Sequence, residues 1–78
     1  MAEKLRDICL KLGLSQPRMY ELLKDENMPL YVGYIGSFEI GKKVPSLLII
    51  LKYARIAGIT MEVIVDDELD LPAKLTNN

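Results

Sequence analysis

The sequence has no histidine and no tryptophan, and only one cysteine and one phenylalanine among its 78 residues. Zinc sites and catalytic sites that depend on histidine are therefore excluded. Neither glycine-rich phosphate-binding pattern is present, so we expect a binding protein and not an enzyme, with no cofactor and no metal site. The single Cys9 cannot form an internal disulfide, which is typical of a reducing cytoplasm.

Long apolar runs are also missing. The richest run, residues 47–51, is followed by Lys52 and Arg55 and is too short to span a bilayer. The first residues carry Glu3 and Asp7 among their cations, which is not typical of a signal peptide. We therefore expect a cytoplasmic protein with no membrane partner.

The net charge of −1 argues, taken as a whole, against a nucleic-acid partner. The charge is unevenly distributed, however, because four of the 11 acidic residues lie in residues 66–70. The rest of the chain is mildly basic, which permits a DNA-binding face. The acidic cluster lacks the spacing of a calcium loop, so we interpret it as a solvated segment.

Length and composition predict one domain with a core of leucine, isoleucine, valine and methionine, because half of the residues are apolar. We divide the chain into a helical domain over residues 1–65 and an acidic, partly irregular segment over residues 66–78. Fraying is expected from Lys74 onward.

The first two helices are predicted by apolar spacing and by capping residues. Residues 3–12 place apolar side chains at helical intervals, and Gly13 is a suitable stop. A second helix is expected from Ser15 as N-cap to about Lys24, with Pro17 in its first turn. Pro29 then restricts the preceding residue to extended geometry, so residues 25–29 are predicted to be a loop.

The third helix is the most ambiguous element. Tyr31, Tyr34, Ile35 and Phe38 follow helical spacing, but the two glycines at 33 and 36 each disfavour a helix by about 1 kcal/mol relative to alanine. A short strand over residues 30–35 is the alternative, and we favour the helix. Tyr34 and Phe38 are expected in the core, whereas either Tyr31 or its neighbour Leu30 could occupy the next buried position.

The fourth helix begins after Ser46 and is apolar around most of its circumference, so we expect it to be central and buried. Lys52 and Arg55 are expected in solvent, and Gly58 at the end of the helix. Thr60 is then predicted to cap a short fifth helix over residues 61–65, although its β-branched residues also suit a strand.

These pieces together resemble the helix-turn-helix domain of the phage-repressor and xenobiotic-response-element (Cro-like) family. The resemblance covers residues 5–65. It rests on residues 12–16 at the second helix, on Tyr34-Ile35 with Phe38-Glu39, on Gly41-Lys42-Lys43 with Pro45-Ser46, and on Leu47, Leu51, Ala54, Gly58, Ile59-Thr60 and Val63-Ile64.

The resemblance implies an all-α fold, a compact lambda-repressor-like bundle of about five helices whose third helix enters the DNA major groove. It implies a sequence-specific, repressor-like transcription regulator that binds double-stranded DNA as a homodimer. The implied contacts are phosphate or a neighbouring base for Gln16, bases for Tyr31, Val32, Gly33 and Ser37, and phosphates for Lys42 and Lys43.

The sequence departs from the family pattern in four places. The turn between the second and third helices is about five residues longer, and Tyr20 replaces a small residue in the second helix. The reading positions lack bidentate donors, which leaves thymine methyl contacts, hydroxyl contacts or shape readout. Cys9 stands where many members have an arginine that pairs with the counterpart of Glu39, so Glu39 needs another partner, such as Arg6, or stays at the surface.

The alternative function is a protein-interaction or antitoxin-like module on the same scaffold. Val32 and Gly36 would then form a shallow groove for a partner helix, and the acidic residues 66–70 would dock a basic partner. Gln16 could also be an ordinary surface residue, and Lys42 and Lys43 an ordinary turn. The dimer surface is expected at residues 61–65 and 69–71.

Overall fold

Helices are the only regular elements in residues 1–75, the part of the chain that this computed structural model describes. In chain order they are α1 (Ala2–Leu12), α2 (Gln16–Leu23), α3 (Val32–Glu39), α4 (Leu47–Ala57) and α5 (Met61–Val65). The predicted all-helical fold is confirmed, and the strands considered at 30–35 and 61–65 do not form. Part of the segment expected to fray, residues 76–78, lies outside the described residues.

Local chemistry accounts for the helix boundaries. Gly13 and Gly58 end α1 and α4 with φ angles of 68° and 71°, a left-handed conformation that glycine adopts without strain. Ser15 and Ser46 precede α2 and α4, and each hydroxyl accepts a hydrogen bond from the backbone N–H three residues later. Thr60 precedes α5 as predicted, but its hydroxyl makes no capping hydrogen bond.

The helices enclose one core. α3 packs against α1 and α2, while α4 packs against α1, α2 and α5. In the described part of the chain, the core contains the expected leucine, isoleucine and methionine but no valine, and it includes two aromatic residues: Leu5, Ile8, Cys9, Met19, Leu23, Leu30, Ile35, Phe38, Ile49, Ile50, Tyr53, Ala54, Ala57 and Ile64. No helix in residues 1–75 has the length and apolarity needed to cross a membrane.

α4 is less deeply buried at its beginning than its sequence predicts. Leu47 and Leu48 are 73% and 47% exposed, whereas Ile49 and Ile50 in the same turn are each 4% exposed, so the first turn of α4 is covered on one side only. The inner side of the helix carries Ile50, Tyr53 and Ala57. Apolar composition alone therefore overestimated how much of the circumference is covered.

Lys52 is mostly covered, with a side chain only 21% exposed, although we expected it in solvent. Its Nζ donates to the Leu23 carbonyl oxygen at 3.1 Å and to Asp25 Oδ2 at 3.2 Å. The lysine thus satisfies a free carbonyl at the end of α2 and anchors the long loop. The Asn27 backbone N–H, and then Lys52, hold the pKa of the Asp25 carboxyl below its ordinary value.

The segment after α5 folds back along α1. Lys4 Nζ donates to the carbonyl oxygens of Val63 and Asp66, at 2.7 and 2.6 Å, and Lys11 Nζ donates to that of Pro72 at 2.9 Å. Leu71 and Leu75 pack against the core. The irregular segment is consequently part of the packed body through residue 75.

Two leucines of α1 provide a stability test. Leu5 is fully buried, whereas Leu10 is 65% exposed on the same helix. Leu5→Ala is expected to reduce the free energy of unfolding by about 2–5 kcal/mol, through lost burial and an internal cavity. Leu10→Ala is expected to change it by less than about 0.5 kcal/mol. Urea denaturation followed by circular dichroism measures both, and similar losses would contradict this packing.

Candidate nucleic-acid interface

α3 has a buried inner face and an exposed outer face that carries little side-chain material. Ile35 and Phe38 are 0% and 3% exposed and hold the helix on the core. On the outer side, Tyr31 is 62% exposed just before the helix and Val32 is 46% exposed. A methyl group added at Gly33 would have no neighbour within 4 Å. This outer face is open to a large, flat or grooved partner.

The side chain of Gln16 lies across the middle of α3. Gln16 is the first residue of α2, and a methyl group added at Gly36 would lie 3.4 Å from its side-chain oxygen. Its Nε2 donates to Glu39 Oε1 at 3.4 Å. Gln16 therefore joins the two helices instead of pointing freely into solvent, and it fills the space beside Gly36 where we had expected a groove with Val32.

The two lysines after α3 are positioned by their backbone. The Ser37 carbonyl oxygen accepts hydrogen bonds from the backbone N–H groups of Lys42 and Lys43, at 2.9 and 3.2 Å. Gly41 allows this turn with a φ of 79°. Both lysines are exposed, and within residues 1–75 neither forms a salt bridge. Two unpaired positive charges thus lie beside the last turn of α3.

An aromatic row runs along one side of α3. Tyr31 packs edge-on against Tyr34 with ring centroids 5.3 Å apart, and Tyr34 packs likewise against Phe38 at 6.3 Å. Lys43 Nζ lies 4.4 Å from the centroid of the Tyr34 ring, a cation–π contact. Leu30, only 6% exposed, takes the buried position that Tyr31 could have taken. Tyr31 consequently remains at the surface.

A cleft of about 510 Å³ adjoins this aromatic row, and sequence reasoning did not find it. Met28 and Pro29 of the long loop form one wall, and Val44 and Pro45 form another. Lys43 is its only charged lining residue within residues 1–75. The one signal in the sequence was the extra loop length itself, which does not reveal where the loop packs.

Glu39 connects the interface to a polar cluster in the core. One carboxylate oxygen contacts Gln16, but Oε2 is buried and has no hydrogen-bond partner among the described residues. The Tyr53 hydroxyl is likewise buried without a partner in this part of the chain. Arg6 is exposed and does not pair with Glu39, so the partner suggested from the sequence is wrong.

Cys9 belongs to the same cluster and is 4% exposed. Burial first, and then the negative charge of Glu39, raise the pKa of the Cys9 thiol to about 12. Burial also raises the pKa of Tyr53 above its ordinary value. Cys9 is accordingly a small neutral core residue and not an activated nucleophile.

The structure thus gathers all seven predicted site residues around α3. Tyr31 precedes the helix, Val32, Gly33 and Ser37 lie on it, and two lysines follow it. The hydroxyl of Ser37 donates to the Gly33 carbonyl oxygen at 3.4 Å, so its own proton is directed into the helix.

Comparison with known proteins adds no relative to this description. No protein-family profile, no curated protein and no solved structure matches the chain significantly.

The bare face of α3 predicts an unusual response to Gly33→Ala. A methyl group at Gly33 has no neighbour within 4 Å. The free energy of unfolding of the variant is therefore expected to be about 1 kcal/mol higher, which is the ordinary advantage of alanine over glycine in a helix. Gly36→Ala is the comparison variant, and it should gain a similar amount, because its methyl group would lie in ordinary van der Waals contact with the Gln16 side chain, 3.4 Å away. Urea denaturation measures both variants. An unstable Gly33→Ala protein would show that this face is covered.

The raised pKa of Cys9 predicts a specific loss of stability in alkali. The unfolded thiol ionises near 9.0, whereas the folded thiol stays neutral until about pH 12. Its stabilising contribution is therefore complete below pH 9 and is lost as the pH rises from about 9 to 12. Cys9→Ala is expected to show a weaker dependence of unfolding free energy on pH in this window. Identical pH profiles would contradict the assignment.

Proposed function

We propose that the protein is a small helix-turn-helix regulator of the phage-repressor type that binds double-stranded DNA, with α2 and α3 as its helix-turn-helix. The observation that carries the proposal is the outer face of α3, which is open, uncharged and followed directly by two exposed lysines. A helix with small residues outward can approach a DNA groove closely, and lysines at its end suit the phosphates beside that groove.

The contacts to bases would be mainly apolar. Val32 is half-exposed near the start of α3, where it can meet the C5-methyl group of thymine, and Gly33 allows the base pairs to come close. The Tyr31 hydroxyl supplies a donor. Ser37 supplies chiefly an acceptor, because its proton is donated to the helix backbone. Such a surface favours sites rich in thymine over sites that need arginine or asparagine contacts.

Phosphate contacts would fix the register of α3. Lys42 and Lys43 lie after its last turn, and Gln16 opens α2, where free backbone N–H groups favour an anion. Gln16 would serve both helices, since its amide also contacts Glu39. These contacts provide affinity without sequence preference.

The longer turn is compatible with this arrangement. Lys52 holds Asp25 and the last turn of α2, so the additional residues 25–29 form a bounded loop. α2 and α3 remain packed against each other despite the insertion. The loop instead builds one wall of the cleft beside the aromatic row.

The mechanism would be binding without catalysis. Two copies would place their α3 helices in successive major grooves about 34 Å apart on a near-palindromic site. Occupation of that site would block or recruit the transcription machinery, as in repressor-like proteins. The family assignment is supported by the order of helices and the chemistry of α3, and it is an analogy at the level of the fold.

A protein-interaction or antitoxin-like module is the second candidate. It is favoured by exposed apolar side chains between α3 and α4, where Ile40 and Val44 are both 76% exposed. This candidate predicts no salt-dependent affinity for DNA in the isolated protein, and the DNA-binding proposal predicts a steep one.

Selection from random duplex DNA, followed by titration of the recovered site at several salt concentrations, tests the proposal. A near-palindromic site whose affinity falls steeply with salt is the expected result. Weak binding that ignores sequence would contradict the proposal and favour the protein-interaction module.

The lysines give the matching mutational prediction. Lys42→Ala and Lys43→Ala are each expected to weaken binding to every sequence alike and to reduce the slope of log affinity against log salt by about 1. Lys74→Ala is the control, because Lys74 is an exposed lysine in the segment after α5. Fluorescence anisotropy with a labelled duplex measures the slopes, and an unchanged slope in the first two variants would remove both lysines from the interface.

A further inference from the structure

Two five-residue segments of the chain share one pattern with opposite charge. Residues 40–44 read Ile-Gly-Lys-Lys-Val, and residues 65–69 read Val-Asp-Asp-Glu-Leu. In each, two aliphatic residues four positions apart enclose charges of a single sign. We call them the basic segment (40–44) and the acidic segment (65–69).

The aliphatic ends of both segments are exposed. In the basic segment Ile40 and Val44 are each 76% exposed, and in the acidic segment Val65 and Leu69 are 47% and 38% exposed. Each run of like charges therefore has an exposed aliphatic side chain at both of its ends. The two segments form no hydrogen bond or salt bridge with each other within residues 1–75.

Both segments border the start of α1. A methyl group added at Gly41 would lie 3.7 Å from the Cβ of Ala2. The amino group of Met1 lies 3.4 Å from Asp67 Oδ1. The first two residues of the chain are therefore neighbours of both segments.

We propose that two copies of the chain associate by placing the basic segment of each copy against the acidic segment of the other. A two-fold axis near Met1 and Ala2 produces both contacts at once, since each copy carries both halves. Lysines then face carboxylates, and the aliphatic residues at the segment ends cover one another.

A stable interface buries about 800 Å² per partner, which is roughly a sixth of the 5062 Å² surface of the chain. The dimer surface expected from the sequence, residues 61–65 and 69–71, is only partly free, because Ile64 is fully buried and Leu71 packs against the core.

The pairing also regulates the proposed DNA interface, and this step rests on the proposed function. Lys42 and Lys43 are the residues assigned to phosphate, and the acidic segment of a second copy occupies them. A chain paired with a second copy cannot bind DNA at the same time, because DNA and the carboxylates compete for the same lysines.

A charge exchange tests the pairing without DNA. One variant carries Lys42→Glu and Lys43→Glu, and the other carries Glu68→Lys and Asp70→Lys. All four side chains are exposed, and within residues 1–75 neither acidic side chain accepts a hydrogen bond. Asp70 lies one residue beyond the acidic segment. It is substituted in place of Asp66 and Asp67 because the carboxylates of these two residues accept hydrogen bonds.

Sedimentation equilibrium at low salt should show the wild type as a dimer of the 8.8 kDa chain. The Lys42→Glu, Lys43→Glu chain alone opposes like charges at both contacts. The Glu68→Lys, Asp70→Lys chain alone loses the attraction at both contacts, because its two new lysines balance Asp66 and Asp67. Each variant should associate more than about tenfold more weakly than the wild type. The equimolar mixture regains the wild-type charges at one contact and places the two glutamates against a segment without net charge at the other, so it should associate more tightly than either variant alone. About 1 M salt, where the Debye length is about 3 Å, should weaken the wild-type dimer.

The matched control combines Glu21→Lys with Glu26→Lys, two exposed positions on α2 and its following loop. This variant has the same net charge as the Glu68→Lys, Asp70→Lys chain. This control should keep the wild-type dimer. Its mixture with the Lys42→Glu, Lys43→Glu chain should not recover, because the two glutamates still face an intact acidic segment at one of the two contacts. Melting curves of all variants establish that they are folded.

The proposal is overturned if the wild type is monomeric at every concentration, if either exchanged variant dimerises as tightly as the wild type, or if the mixture fails to recover. The DNA titration is read separately. A protein that shows the exchange behaviour but no salt-dependent DNA affinity would sink the proposed function and leave the pairing intact. Specific DNA binding by a chain that never self-associates would overturn the pairing and leave the proposed function intact.

Discussion

Burial of Ile35 and Phe38 against α1 and α2 is the contact on which the candidate interface depends. α3 has only eight residues, contains two glycines, and begins without a side-chain cap. Such a segment has little helical tendency of its own, so its helix is stabilised by tertiary packing. Because the inner face is fixed in this way, the outer face and the turn that carries the two lysines acquire defined positions.

The polar cluster around Glu39 couples this surface to the core. A carboxylate with one buried, unpartnered oxygen is an unfavourable feature for stability alone. Its other oxygen holds the Gln16 amide over α3, so the same residue positions a side chain of the interface. Cys9 beside it supplies no countercharge, which leaves Gln16 as the side chain that contacts Glu39 among residues 1–75.

Sequence reasoning located the elements because their boundaries are encoded locally. Gly13, Ser15, Ser46 and Gly58 act through their own backbone conformation or hydroxyl, so their roles can be read from neighbouring residues. The seven candidate site residues were likewise brought to one helix and its ends, although their contact with DNA remains a prediction.

What the sequence could not supply depends on partners distant along the chain. The coverage of Lys52 follows from where the end of α2 arrives, 29 positions earlier, and Gln16 meets Glu39 across 23 positions. The exposed beginning of α4 has the same origin, since Leu47 and Ile50 are chemically alike and differ only in which side a neighbouring helix covers. Periodicity describes one helix, whereas these features require the positions of several.

The hydrogen bonds from Lys4 and Lys11 to the carbonyl oxygens of Val63, Asp66 and Pro72 impose an order on folding during synthesis. Sequence separations of 59 to 62 residues mean that α1 leaves the ribosome long before its lysines meet these acceptors. The earlier helices can pack against each other as they emerge, but the lysines of α1 reach their acceptors only when residues 63–72 have been synthesised. A polypeptide stalled before that point would expose a partly assembled bundle to chaperones and proteases.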